Sequence, residues 1–205
     1  QENRDIEKID CSSNQLKKLD VSMLESLKTL TFENNPLEDL NISNTQISSQ
    51  FNSKIPSLGS LNISNTQISA LFIGDMASLR TLKVDKCLSL ATIYAPRTSI
   101  EMLDVSTCPN LEYLNIERTS QLKSLTLSSE ACEKLNEVYA LGSAVKCEIP
   151  DWFPIEDPNF KFYYEQRYTY HYEYDEETGE QKLVPTDKDY GWWYPGEPDS
   201  GAHRR

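Results

Sequence analysis

The chain has 205 residues, 38% of them hydrophobic, and a formal net charge of −12 from 32 acidic and 20 basic side chains. That length can bury a sizeable core in one or two structural units. The acidic balance argues against nucleic-acid phosphates and anionic membrane surfaces as main partners, and no segment approaches the roughly 20 apolar residues of a membrane helix.

The lead-in, residues 1–5, is polar, and Gln1 reads as a mature or trimmed start, so the lack of a signal segment in this sequence does not argue for the cytosol. From Ile6 an L-x-x-L-x-Φ unit (Φ apolar) opens again and again, at Ile6, Leu16, Leu27, Leu37, Ile47, Leu58, Ile68, Leu79, Leu90, Ile100, Leu111 and Leu122. Two units make a repeat of about 21 residues. The units alternate in kind. One series contains Leu19-Asp20-Val21-Ser22, Leu40-Asn41-Ile42-Ser43 and Leu61-Asn62-Ile63-Ser64; the other contains Ile9-Asp10-Cys11, Leu30-Thr31-Phe32 and Leu71-Phe72-Ile73. Around Phe51 the pattern blurs while its phase survives on both sides, so a distorted coil is expected there and not an insertion. A weaker last unit follows at Leu135, Val138 and Ala140.

L-x-L puts two side chains on one face of a short strand, and the turns between are rich in Ser, Asn, Thr and Pro. Each coil then carries two short strands on opposite walls of a flattened tube. One coil cannot bury its own leucines, so neighbours stack in parallel and share a core. Helices of ordinary length are excluded, because turn residues recur too often.

The repeat resembles the leucine-rich-repeat family, in particular the nested-periodicity class L-x-x-L-x-C-x-x-N-x-L-x-x-L-D-L, which Ile6-Glu7-Lys8-Ile9-Asp10-Cys11 through Val21 follows nearly position for position. The resemblance covers about Ile6 to Val145. It implies a solenoid of parallel short strands on two walls, mostly β and turns with little helix. It also implies a setting among bacterial surface or secreted proteins that bind other macromolecules. The asparagine seen at Asn14 and Asn35 becomes Met76, Thr98 and Thr119 later on, so the asparagine ladder is expected to be incomplete.

The expected domains are a six-to-seven-coil solenoid over 6–145 and an acidic, aromatic-rich cap and tail over 146–205. Pro150, Pro154 and Pro158 punctuate the entry to the latter. Phe160, Phe162, Tyr164, Tyr168, Tyr170, Tyr172 and Tyr174 share one parity, the mark of a strand with an aromatic face. Residues 175–179 read as a turn and 180–184 as a returning strand, which makes a C-terminal aromatic β-hairpin cap, followed by an extended tail.

Candidate sites follow from the outward positions of the strands. On one wall the central column is Asp20, Asn41, Asn62, Lys83, Asp104 and Thr126, a polar face. On the other it is Asp10, Thr31, Phe72, Tyr94, Asn115 and Tyr139, with Tyr113 alongside. Aromatics on coils roughly 5 Å apart form a patch of the kind that meets a partner. Two readings stay open for it: a ligand or partner surface, or a seat for the tyrosine-rich C-terminal region. Trp192 and Trp193, beside Tyr194-Pro195-Gly196, suit either sugar stacking or a structural clasp. The expected partner is therefore a protein, with a glycan or a ligand-free structural spacer as alternatives.

Five cysteines, Cys11, Cys87, Cys108, Cys132 and Cys147, cannot all pair in one chain, and no C-x-x-C occurs. Cys87 and Cys108 occupy equivalent positions one coil apart, which suits stacked thiols or a bond; Cys132 with Cys147 is the other possible bridge. Neither His171 nor His203 stands near a nucleophile motif, no Gly-rich phosphate loop occurs, and the acids of 173–180 lack the spacing of a calcium loop. No enzyme activity, cofactor or metal is expected.

Overall fold

The structure is a computed structural model that describes residues 5–128 and 133–143 in full, and the backbone of strands at 161–163, 167–174 and 181–189. Twelve short strands come first: β1 (Lys8–Asp10), β2 (Lys18–Asp20), β3 (Thr29–Thr31), β4 (Asp39–Asn41), β5 (Ser60–Asn62), β6 (Ala70–Phe72), β7 (Thr81–Lys83), β8 (Thr92–Tyr94), β9 (Met102–Asp104), β10 (Tyr113–Asn115), β11 (Ser124–Thr126) and β12 (Glu137–Tyr139). Then follow β13 (Lys161–Tyr163), β14 (Arg167–Tyr174) and β15 (Gln181–Asp189). Among the described residues there is no helix.

Each L-x-x-L-x-Φ unit except the one opening at Ile47 yields one three-residue strand, and strands of alternate units pair in parallel. One wall is a six-stranded sheet in the order β11-β9-β7-β5-β4-β2; the other runs β13-β12-β10-β8-β6, with β1-β3 as a separate pair. The molecule is thus a parallel β-solenoid of leucine-rich-repeat type with about six coils. Register is pinned by the inward residue: Leu19 faces Leu40, Leu40 faces Leu61 and Leu61 faces Leu82 on one wall. Leu71, Ile93, Leu114 and Val138 align on the other. A slip by one residue would turn every one of these side chains to water. Leu40, Leu61, Leu71, Ile93 and Leu114 are fully buried.

The wall holding β6 is interrupted at Phe51, where the sequence pattern blurs. Phe51 stands four positions after Ile47, whereas Leu30 stands three after Leu27. Gln50 and Asn52, at the nominal core positions, are exposed, and Phe51 is buried in their stead. Phe51 makes a single bridge to Leu71 and stacks on Phe32 with ring centroids 6.4 Å apart. One extra residue therefore keeps the core column filled and breaks only the sheet.

The turns do not depend on glycine. The residue two past the last core position of a strand is left-handed at Ser13, Asn34, Asn44, Asn65, Asp75, Lys86, Arg97 and Arg118, and glycine takes that place only at Gly142. Left-handed backbone costs an L-residue roughly 1–2 kcal/mol. Hydrogen bonds to the next coil offset it: the Ser13, Asn65, Asp75 and Arg97 N–H groups donate to the carbonyls of Glu33, Asp85, Pro96 and Glu117. The thinning of the asparagine ladder does not disturb the coils. Asn14 and Asn35 donate to the carbonyls of Cys11 and Phe32. Where threonine replaces asparagine, at Thr98 and Thr119, the hydroxyl donates to the equivalent carbonyl, that of Ala95 and Ile116. Thr45 and Thr66 do the same on the other side of the tube. At Met76 the same place holds a buried apolar side chain with no donor, and the coil is kept there too.

Cys87 and Cys108 are free thiols at the place of Thr66. They donate to the carbonyls of Ile63 and Val84 in the preceding coil. Burial, with Cys87 alongside, pushes the Cys108 thiol up to about 12. Cys132 and Cys147 lie outside the described residues.

Strand β13 comes from the segment assigned by sequence to the cap, yet it pairs in parallel with β12, so that Phe162 registers with Val138 and Tyr163 with Tyr139. The anticipated long aromatic strand is therefore two strands, β13 and β14. The latter pairs antiparallel with β15, which runs past the expected 180–184, and their register shifts between Tyr168 and Tyr170, where Pro185 stands opposite Tyr170. A proline cannot donate to the ladder.

Candidate functional site: an aromatic wall

The six-stranded wall explains its own polarity. The last residue of most of its strands is Asp or Asn, and the side chain accepts from the N–H two residues on. Ser22 N–H donates to Asp20 at 2.9 Å, Ser43 to Asn41 at 3.2 Å, Ser64 to Asn62 at 3.0 Å and Ser106 to Asp104 at 2.9 Å. These are Asx turns, which start each corner of the tube. In the Lys83 coil, Ser64 Oγ accepts from Asp85 N–H in place of the missing carboxamide. The carboxylates respond to this use. On the facing wall the same turn at Asp10, closed by the Ser12 N–H, holds that carboxyl below the usual range. Burial raises Asp20, but hydrogen bonds from Ser22 and Asn41 outweigh it and leave it lowered. This wall is polar because it turns corners.

On the opposite wall three of these corner positions are aromatic: Phe72, Tyr94 and Tyr139. None can accept where an Asx side chain does. The residues two positions on are Gly74, Pro96 and Leu141, and Pro96 has no N–H to satisfy. Asn115 alone in this stretch retains the turn, accepting from Glu117 N–H at 3.0 Å.

Register sets Phe72 beside Tyr94, Tyr94 beside Asn115 and Asn115 beside Tyr139. Tyr113 shares the face of Asn115, two residues away, and lies beside Thr92 and Glu137. The sequence suggested a run of rings on adjacent coils; the structure resolves it into two pairs. Phe72 and Tyr94 have centroids 6.4 Å apart and Tyr113 and Tyr139 5.4 Å apart, both tilted. Asn115 sits between them, buried, and its amide donates to the Tyr113 phenol at 3.3 Å and to the Glu117 carboxylate at 3.4 Å. The Tyr139 hydroxyl donates to Glu137 at 3.3 Å. All four rings are half-buried. Burial pushes the Tyr113 phenol up, and the charges of Glu137 and Glu117 add to it against the hydrogen bond from Asn115.

Two residues of this site escape a reading by residue type. A Cβ at Gly74 would lie 2.8 Å from Tyr94 Cε1 and 3.2 Å from the Pro96 ring, so the Tyr94 ring rests on the bare backbone of Gly74. The only signal in the sequence is a glycine two residues after Phe72, at a corner where the other coils of this wall carry Ser12, Glu33, Pro96, Glu117 and Leu141. At the rim, Arg97 clasps Asp75 with Nε and Nη2, at 2.5 and 2.9 Å, and this contact lowers Asp75.

Trp192 and Trp193 lie outside the described residues, as does His203. Among the described residues no group of three or more His, Cys, Asp or Glu side chains is placed to hold a metal ion, and no helix is long and apolar enough to cross a membrane.

Repeat and tube together define a leucine-rich-repeat solenoid with one polar and one aromatic wall. No family model matches the chain, and no curated protein matches it. Among solved structures it is similar to the functional domain of InlJ from Listeria monocytogenes, described as including a cysteine ladder. Identity is 16%, with 78% of this chain and 44% of that chain covered and a TM-score of 0.24. The chain thus spans less than half the length of that structure. The leucine-rich-repeat assignment stands on the repeat and the tube geometry.

Proposed function

We propose that this chain is a non-catalytic protein-recognition module of the nested-periodicity leucine-rich-repeat class, bound through Phe72, Tyr94, Tyr113 and Tyr139. One observation carries the reading. Three of the rings, Phe72, Tyr94 and Tyr139, occupy corner positions that elsewhere make Asx turns, so this wall gives up local hydrogen bonds for half-buried aromatic surface. Paired rings on a rigid, gently shaped sheet suit a macromolecular partner better than an enclosed small ligand. The resemblance of the repeat to its class supports a bacterial surface or secreted setting. Residues 146–205 are read as a cap and tail to the solenoid.

The test is a binding screen against arrayed extracellular proteins, with Tyr94→Ala and Tyr139→Ala set against Asn62→Ala on the polar wall. Loss of a partner with the two tyrosine variants and retention with Asn62→Ala supports the reading. A partner lost with Asn62→Ala alone moves the site to the other wall. Binding that no wall substitution affects makes the solenoid a spacer.

A further inference from the structure

The aromatic wall carries a half-buried carboxylate whose side-chain partner is a neutral amide. Glu117 is half-buried, its side chain meets the Asn115 amide at 3.4 Å, and among the described residues it has no salt bridge. Arg97, whose backbone N–H donates to the Glu117 carbonyl and whose charge also interacts with Tyr94 and Glu117, bonds Asp75 with its guanidinium. Around Glu117 stand Tyr94, beside Asn115 in register, and Tyr113, whose phenol shares the Asn115 amide with it.

We infer that the Tyr94, Tyr113 and Glu117 surface takes a cationic side chain, lysine or arginine, presented by the protein partner. The inference rests on the recognition reading above and names the chemistry of the contact. Aromatic faces attract a cation through their quadrupole, more strongly where water is partly excluded. A carboxylate at the edge of two half-buried rings supplies the counter-charge. Asn115 fixes both, because one amide holds the phenol and the carboxylate at set positions. The chain's net charge of −12 favours the approach of a basic partner. An acidic partner would meet Glu117 and Glu137 directly; an apolar one would leave Glu117 to be desolvated without compensation.

The experiment uses the whole chain with labelled tyrosine rings and four blocked tripeptides, Gly-X-Gly with X arginine, lysine, norleucine or glutamate, titrated by NMR. The rings of Tyr94 and Tyr113 are expected to shift with the arginine and lysine peptides and not with the other two. Glu117→Gln should weaken the arginine titration at least about fivefold, as expected of a charge-assisted contact, and Tyr113→Leu by a similar factor, whereas Asp104→Asn on the polar wall should leave it unchanged. Equal shifts with norleucine overturn the cation site and leave the aromatic wall as an apolar docking surface. Shifts with arginine that survive Glu117→Gln, or no ring shift with any peptide, also overturn it. Neither result touches the partner screen, which depends on Tyr94 and Tyr139 irrespective of charge.

Discussion

The two walls of this solenoid share one core and differ only outside it. Both bury a column of aliphatic side chains in parallel register, and both turn corners through left-handed residues. Outside, the six-stranded wall puts Asp20, Asn41, Asn62 and Asp104 where they close the turns, so its polarity is structural. The facing wall puts Phe72, Tyr94 and Tyr139 there. The comparison shows that polar residues in a repeat column are weak evidence of a site, and that the informative residue is one that declines the repeat's local role.

The largest effect should be common to both walls. Leu61→Ala and Leu71→Ala each remove a fully buried side chain and should lower unfolding free energy by about 3 kcal/mol, read from urea denaturation. A loss well below about 2 kcal/mol at either would mean that its wall does not pack into the shared core. Next, Gly74→Val should displace the Tyr94 ring, since even a Cβ there falls 2.8 Å from it. Partner binding should drop about tenfold or more, a loss of roughly 1.4 kcal/mol, with the circular dichroism spectrum kept.

A sharper separation comes from exchanging corner residues. Asp104→Ala on the polar wall should cost about 1 kcal/mol, the net worth of one hydrogen bond. Phe72→Asn should be nearly neutral, within about 1 kcal/mol, because a restored Asx acceptor offsets the lost ring contact, yet it should abolish partner binding. Loss of fold with Phe72→Asn would show that the rings are there for packing.

The smallest effect is in pH. Asp10, Asp20 and Asp75 lie below their ordinary values in the folded chain. A lowered carboxyl favours the folded state above its unfolded pKa of about 3.9, and that contribution disappears as pH falls through the lower folded value. The urea midpoint should therefore hold from pH 7 to 5 and fall below about pH 4. In the core, the Cys87 and Cys108 thiols should resist alkylation at pH 8 until the chain is unfolded, as peptide mass mapping would show, because both are buried and Cys108 titrates near 12.

Much of this was legible in the chain. The spacing of Ile6, Leu16, Leu27 and their successors set the number and kind of coils, and the disturbance at Phe51 was visible as polar residues at core positions. The candidate rings Phe72, Tyr94, Tyr113 and Tyr139 followed from strand parity. Their division into two pairs did not, because it depends on where the Asn115 amide points. Nor did the role of Gly74, whose sequence neighbours give no hint that a ring from the next coil lies across it. The pairing of β13 with β12 was hidden too, since Lys161-Phe162-Tyr163 lacks the leucines that mark the other units.

By itself the sequence determined the architecture: a short repeat of inward apolar residues can bury them only by stacking, and each further repeat restates the same register. Tertiary structure alone decided which outward residues close the turns of the fold and which do not. That distinction lies largely in contacts between neighbouring coils, such as the Tyr94 ring lying across Gly74 and the pairing of Tyr113 with Tyr139. A local pattern places a side chain on a face; only its neighbours from other coils fix what it does there.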